Sequence, residues 1–548
     1  MTRAHGSNRK SRTAAPEDAA GTRPVVRDGD AATPLIVLLV VSLFLLGVRL
    51  YAASQVGFGD SEALYASWAA HPQPAYLDHP GLVGVVAGVI GEGAIPSPLR
   101  THLITAFFAT LVPWLAYVTA RSLSALPSRA ALAGLIVAVV PETAVGLFAL
   151  TPDLLLAITW LGALLCASIG LQATPRSTRS ATAFLGAGLL AGIACAAKVS
   201  GLLLVMALLC AYASIARKRP RVVNASGVTS GHTEAAAVRT LWPWAGIVAG
   251  LVVVLPIALY ESKTHWSMLQ HRFVETQHGA GLALRNLGVL FGGQLAYLSP
   301  VFAVLAVIVA RDLVRERKHD AITRLLFFAF AVPFLPLVLL CLWSPVAEPH
   351  WIAPSLLVLP IHAARRASVA GEALTSRRTF LAATAIAALL TVVAHAWVLI
   401  PESAKLRPEQ TDAKLDIATE LFGWPTALDA VKEQMKGAGN TFDPEGREVV
   451  VVGPHWTVCA QLQAGLPGIR VGCATPVPDD FDRWLPRDEW RKAEHVLFVT
   501  DNRFPGDGAE QLPAHVQSGR SRVRILRGGR TARVFELFLY DRRAQSSL

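Results

Sequence analysis

Apolar runs long enough to cross a bilayer, separated by short polar stretches, recur along most of the chain. A spanning helix needs about 20 such residues. The pattern predicts eleven spans, near residues 34–54, 101–120, 130–149, 154–171, 182–197, 199–215, 241–260, 288–310, 324–343, 351–364 and 379–399, of which the fifth, sixth and tenth are short. After residue 400 the period changes. "REVVVVGPHW", "GIRVGCA", "EHVLFVTDN", "SRVRILRGG" and "ARVFELFLYDR" read as strands, with "TVCAQLQAGL" and "GAEQLPAHVQ" as helices between them. The expected fold is therefore an α-helical polytopic membrane protein with a small C-terminal α/β domain. Its parts are a disordered polar tail over 1–33, a membrane domain over 34–400 and the α/β domain over 401–548.

Composition agrees with the pattern. Of 548 residues, 53% are hydrophobic and 16% charged, where a soluble protein carries about a quarter charged. The net charge of +11 does not point to nucleic acid, because the basic residues gather in short loops between apolar runs. "ARKRPR" (216–221), "RDLVRERKHDAITR" (311–324) and "HAARRASVAGEALTSRR" (362–378) fall on one side if the N-terminus is cytoplasmic, and residues 56–99, with no lysine or arginine, fall on the other. That is the positive-inside rule. It places the N-terminus in the cytoplasm and residues 401–548 outside, as in a multi-pass protein of a bacterial inner membrane. Four of the six cysteines lie in apolar runs; Cys459 and Cys473 lie in the outer domain, either as a disulfide or as two buried thiols. No spacing of a structural zinc site occurs.

The first outer loop carries unusual chemistry. "GFGDSEALYASWAAHPQPAYLDHPGLVG" (57–84) holds three carboxylates and two histidines without a basic residue. Ionisable groups at membrane level are costly and default to functional candidates, the alternative being a solvated loop that merely avoids positive charge. Short interfacial helices are expected here, including one in "LVGVVAGVIGEGAI".

The order of Glu62, Tyr65, Tyr76, Asp78, His79 and Pro80 resembles the first outer loop of GT-C superfamily glycosyltransferases that use polyprenyl-phosphate sugars, the group of the protein O-mannosyltransferases and the lipid A aminoarabinose transferase (family 39-like in bacteria). That group usually has Asp-Glu in tandem and a second proline in the turn. Here Ser61 occupies the aspartate position, Asp60 comes one residue early, and Gly81 replaces the proline. Further matches are Arg100 before the second span, Asp153 in "ALTPDLLL", Lys198 in "ACAAKVSGLLL" and His350 in "EPHWIAPS", all on the outer face.

The resemblance implies transfer of a sugar from a polyprenyl-phosphate donor to an envelope acceptor (a lipid, glycan or protein) on the extracytoplasmic face, with inversion. Such a displacement needs a carboxylate to take the acceptor's proton. Asp60 or Glu62 is the expected base, within the catalytic loop 56–100, and Asp153 the supporting acid. Arg100, Lys198 and His79 are expected to stabilise charge growing on the phosphate. Snorkelling is the other reading of Lys198, and interfacial anchoring that of Arg100. Tyr65 and Tyr76 are expected to stack on the sugar or line the lipid groove, and Asp78 and His350 to complete the donor site. No cofactor is required, although Asp78, His79 and His350 are suitable ligands for a divalent metal. His265, Trp266 and Arg272 read as an interfacial belt. The rival reading is a lipid or sugar transporter or flippase, which predicts repeats and paired broken helices.

Overall fold

The apolar runs fold into helices whose ends are set by local signals. In the computed structural model, which describes residues 32–217, 231–277, 279, 281–344, 348–408, 416–437 and 449–543, Ser97, Ser177, Asp320 and Ser376 each accept a backbone N–H at the start of a long helix, as N-caps do. The expected tail over 1–33 lies almost wholly outside the described residues. Eight described helices are long and apolar enough to cross a membrane: Ala32–Gln55, Pro98–Ser122, Pro152–Gln172, Thr178–Ala197, Val199–Ala216, Trp242–Lys263, Ala321–Trp343 and Arg377–Leu399. Two further pairs qualify only as bent spans, Pro127–Val139 with Pro141–Phe148 (69°) and Arg285–Tyr297 with Pro300–Glu316 (112°). The expected span at 351–364 is instead a run of short helices, Ala353–Leu356 and Val358–Ala370, so the count of eleven is not reached by length and apolarity.

The first break has an evident support. Freed carbonyls at membrane depth must find donors. Arg49, buried in the first helix, donates to Thr143 O at 2.7 Å, to Ala144 O at 3.1 Å and to Thr110 Oγ1 at 3.0 Å. Elsewhere the helices approach closely through glycine. A Cβ on Gly188 would meet Gly246 O at 1.8 Å, so Thr178–Ala197 and Trp242–Lys263 touch backbone to backbone there.

Beyond Leu399 the chain forms the α/β domain. Strands β1 (Val449–Gly453), β2 (Val471–Cys473), β3 (His495–Asp501), β4 (His515–Arg527) and β5 (Arg530–Arg542) run in the order β2-β1-β3-β5-β4, parallel across β2-β1-β3 and antiparallel beyond. The helix Trp456–Gly465 links β1 to β2. A disulfide joins Cys459 on it to Cys473 on β2, with Cα atoms 5.9 Å apart. The helix expected over 508–517 is not formed: Ala509–Gln511 makes one 3-10 turn and His515 already begins β4.

The first outer loop folds as two short helices, Asp60–Ser67 and Leu82–Ile90, and packs under this domain. Phe58, Leu64, Trp68 and Tyr76 share one apolar core with Val458, Leu462, Phe481 and Phe535. Loop and outer domain thus lie on the same face and act as one packed unit.

Candidate functional site

Between the loop, the helix ends and the outer domain lies a polar cavity of about 630 Å³. Three breaks in regular structure put its side chains there. Lys198 ends the Thr178–Ala197 helix in an extended conformation before the next helix starts. Asp153 is in the first turn of Pro152–Gln172, a favourable place for an acid. The turn at 74–81 delivers Asp78 and His79: Tyr76 N donates to His79 O at 2.9 Å and Gly81 N to Pro74 O at 2.8 Å. A Cβ on Gly81 would lie 2.1 Å from Gln73 O. The departure from proline therefore has a local reason, since proline has neither that N–H nor the room.

Within the cavity Lys198 Nζ donates to both oxygens of Asp153, at 2.8 and 3.0 Å. His350 Nε2 is 3.9 Å from Asp153 Oδ2, and its Nδ1 is 3.2 Å from Glu348. Arg272 Nη1 is 3.8 Å from Asp78 Oδ1, and the guanidinium lies 5.7 Å from the Trp351 ring centroid. Tyr65 lines the wall against His79, ring centroids 5.9 Å apart. Burial, reinforced by the charge of Lys198 and Arg272, holds the His79 imidazole well below its ordinary pKa. Burial and then Lys198 lower that of His350, against the pull of Asp153 and Glu348. Both rings are thus neutral at neutral pH. Burial raises the Tyr65 phenol well above its ordinary value, so it remains a donor.

An apolar groove of about 500 Å³ leaves this cavity through Asp78, His79, Lys198, Arg272 and Trp351. It continues between Leu202, Leu203, Leu337 and Leu340, on two helices long and apolar enough to cross a membrane. Polar cavity and apolar groove share their cations.

Several expected residues lie elsewhere. Asp60 does not line the cavity: its Oδ2 takes a 2.5 Å bond from Arg503 and its Oδ1 a 3.3 Å bond from Gln461, both in the outer domain. Glu62 is 2% exposed and bonds His102 Nε2 and Leu150 N, each at 2.8 Å. Between them Ser61 does face the cavity. Tyr76 is buried in the loop, stacked on Trp68 at 3.9 Å, with its hydroxyl donating to His71 O at 2.7 Å. Arg100 is exposed and pairs with Glu92 at 2.6 Å. Asp78, His79 and His350 do not converge as a metal site; among the described residues no group of three such ligands does. Conversely, Arg272, Glu348 and Trp351 belong to the cavity, as do Asp479 and Asp480 of the outer domain. "EPHWIAPS" carried a signal for two of these, and Arg272 was readable only as a belt residue.

Residues 98–260 match the family model described as dolichyl-phosphate-mannose-protein mannosyltransferase. No curated protein sequence matches the chain. Among solved structures, ArnT from Cupriavidus metallidurans in the apo state aligns with a TM-score of 0.56 at 16% identity, over 93% of this chain and 98% of that one. The same protein bound to undecaprenyl phosphate aligns with a TM-score of 0.55 at 16% identity, over 92% and 97%. The arabinofuranosyltransferase AftD from Mycobacteria aligns with a TM-score of 0.50 at 15% identity, over 93% of this chain and 40% of that one. The chain has the GT-C fold.

Proposed function

From that fold and the match over residues 98–260, we propose that the protein is a membrane glycosyltransferase moving a sugar from a polyprenyl-phosphate donor to an acceptor at the extracytoplasmic face. One observation carries the reading: Lys198, Arg272 and His79 stand where the polar cavity opens into the apolar groove. A prenyl chain fits the groove, each buried CH₂ contributing about 0.8 kcal/mol. Its phosphate then meets two cations and a neutral imidazole. These stabilise charge that grows on the leaving phosphate as the bond from C1 to oxygen breaks.

The acceptor attacks C1 from the opposite face, so configuration inverts. Its proton goes to a carboxylate of the cavity, and Asp153 is the best placed, held by Lys198 and close to His350. In this reading Asp60 and Glu62, which do not line the cavity, shape the loop that presents Ser61 and Tyr65. The ArnT structure that contains undecaprenyl phosphate supports the choice of donor.

Two bent spans are a feature the transporter reading also expects. A test separates the readings. A strain lacking the protein is complemented with wild type, Lys198→Ala or Asp153→Asn, and its envelope lipids and glycans are compared by mass spectrometry. Loss of a sugar-bearing species, restored by wild type and by neither variant, supports transfer. An unchanged set of covalent structures with altered distribution across the membrane overturns it.

A further inference from the structure

The hairpin at the edge of the sheet comes down on the last spanning helix, and the groups gathered there take no part in the transfer proposed for the cavity. "RGGR" (527–530) makes a two-residue turn with both glycines at positive φ, Gly528 at 56° and Gly529 at 80°. That geometry suits the twist of paired strands. A Cβ on Gly528 would lie 2.5 Å from Pro401 O, so the turn sits backbone to backbone on Pro401–Leu406. Arg527 fastens it. Its Nη2 donates to Trp397 O at 2.5 Å, Val398 O at 2.6 Å and Ile400 O at 3.2 Å, carbonyls at the end of Arg377–Leu399 that lack helical partners. The hairpin tip is therefore fixed at one end of a helix long and apolar enough to cross a membrane.

A pocket of about 400 Å³ opens beside the tip, lined by Ala404, Arg407, Pro408, Arg530, Thr531 and Ala532. Two guanidiniums and no acid line it. Arg407 pairs with the buried Asp416 at 3.1 Å, whereas Arg530 bonds only a carbonyl, Arg407 O, also at 3.1 Å. Farther along β4, Arg520, Arg522 and Arg524 alternate on one exposed face, and one acid of β5, Glu536, stands across from them. Next to the pocket residues in the chain, apolar side chains are uncovered: Leu406 is 76% exposed, Leu526 65% and Ile400 49%. Positive charge beside exposed leucines suits neither water alone nor acyl chains alone. It suits the boundary between them.

We propose that this pocket binds the headgroup of an anionic phospholipid, with the phosphodiester between Arg407 and Arg530 and the acyl chains over Leu406, Leu526 and Ile400. A soluble anion would use the arginines and leave the leucines in water; a phospholipid uses both. The site is separate from the donor's, since none of its lining residues borders the polar cavity or the groove at Lys198. Lipid held there ties the outer domain to the bilayer at a second point besides the first outer loop.

The test uses the full chain in phosphatidylcholine nanodiscs with phosphatidylglycerol added stepwise. Native mass spectrometry counts the phosphatidylglycerol retained, and thermal melts follow the linkage. Wild type should retain it and melt higher as its fraction rises. Arg530→Gln should weaken retention about fivefold, and Arg530→Glu more, the scale for one cation at a lipid surface. Arg530 is exposed, so melting in phosphatidylcholine alone should not change. Arg100→Ala removes a surface cation elsewhere and Lys198→Ala one at the donor groove; both should retain phosphatidylglycerol as wild type does. Glycerophosphoglycerol, the same headgroup without acyl chains, should not raise the melting midpoint. Undiminished retention in Arg530→Glu overturns the proposal. So does an equal loss in Arg100→Ala, which would mean surface charge without a site. Loss in Lys198→Ala overturns it as well, because the lipid then sits in the donor groove. A rise with glycerophosphoglycerol that Arg530→Glu abolishes overturns it in favour of a soluble anion. The glycosyltransferase reading is untouched by any of these outcomes, since it rests on undecaprenyl phosphate binding and transfer at Lys198 and Asp153.

Discussion

The two ends of the first outer loop carry similar acids with opposite fates. At residues 60–62, Asp60 and Glu62 turn away from the cavity and are held by Arg503, Gln461, His102 and the Leu150 amide. At residue 78 an acid of the same kind faces the cavity, loosely opposed by Arg272 at 3.8 Å. Sequence position and charge do not separate these cases. Partners do, and the partners come from hundreds of residues away. A carboxylate held in buried bonds away from the cavity joins loop to domain; one that lines the cavity, even when paired there as Asp153 is with Lys198, faces the volume a substrate would fill.

The sharpest way to break that contrast is to neutralise one acid of each kind. Asp153→Asn should reduce transfer by ~10²–10³-fold, the scale for losing one preorganised group at a reacting centre. Undecaprenyl phosphate binding should persist because Lys198 stays in place, while the melting midpoint falls because Lys198 loses its partner. Single-turnover transfer with a thermal melt on the same sample measures both. If Asp60→Asn gives the same rate loss with an unchanged melting midpoint, the loop acid is catalytic after all.

Asp60 should instead show its role in stability. It is one end of a buried chain of charge: Arg503 bonds Asp60 at 2.5 Å and Asp501 at 2.9 Å, and Arg533 bonds Asp501 at 2.5 Å. Removing one partner strands the other, at a typical cost of about 3–5 kcal/mol. Asp60→Asn and Arg503→Gln should each lower the melting midpoint clearly. The double variant should lose less than the sum, because the residues share one interaction. Strict additivity would mean that the pair does not join loop to domain.

The same interface explains how much the sequence revealed. Hydrophobic period alone located the spans and the β-rich tail, and the break at Lys198 was legible because it separates two apolar runs. The cavity members Asp78, His79, Asp153, Lys198 and His350 were legible by order. The placement of Asp60 against the outer domain was not, because Arg503 lies 443 residues away in the chain. Nor was the first broken span, whose support depends on Arg49, a charge hidden in an otherwise uniform apolar run. The helix expected at 508–517 failed for a related reason: β4 pairs with β5 along most of its length, and a ladder of that extent overrides local preference. The tenth expected span, 351–364, falls on the short helices Ala353–Leu356 and Val358–Ala370, and length and apolarity do not reach the count of eleven among the described residues.

A finer probe of the joint is pH. Burial, and then the neighbouring Asp60, push the Glu420 carboxyl up to about 7; its Oε2 accepts from Asp60 N at 3.2 Å. An acid with a raised pKa binds more protons folded than unfolded, so stability falls as pH rises from the ordinary carboxylate range through about 7. Glu420→Gln keeps the acceptor and removes the titration. The variant should melt higher than wild type at pH 8 and nearly level with it at pH 5, by ~1–3 °C. A difference of equal size at both values would show that Glu420 does not titrate in this interface.

The smallest effect is expected at Arg100, and it completes the contrast from the cationic side. Lys198 is 10% exposed and bonds Asp153 in the cavity wall, whereas Arg100 is 47% exposed and pairs only with Glu92, itself 74% exposed. Exposed pairs contribute about 0–1 kcal/mol. Arg100 also stands in the first turn of Pro98–Ser122, where the helix dipole disfavours a cation. Arg100→Ala should therefore leave transfer within about twofold and the melting midpoint within about a degree. Lys198→Ala, by contrast, should lose transfer together with undecaprenyl phosphate binding. A large loss of donor binding in Arg100→Ala would mean that the phosphate docks at the rim of the loop, outside the Lys198–Arg272 mouth of the groove.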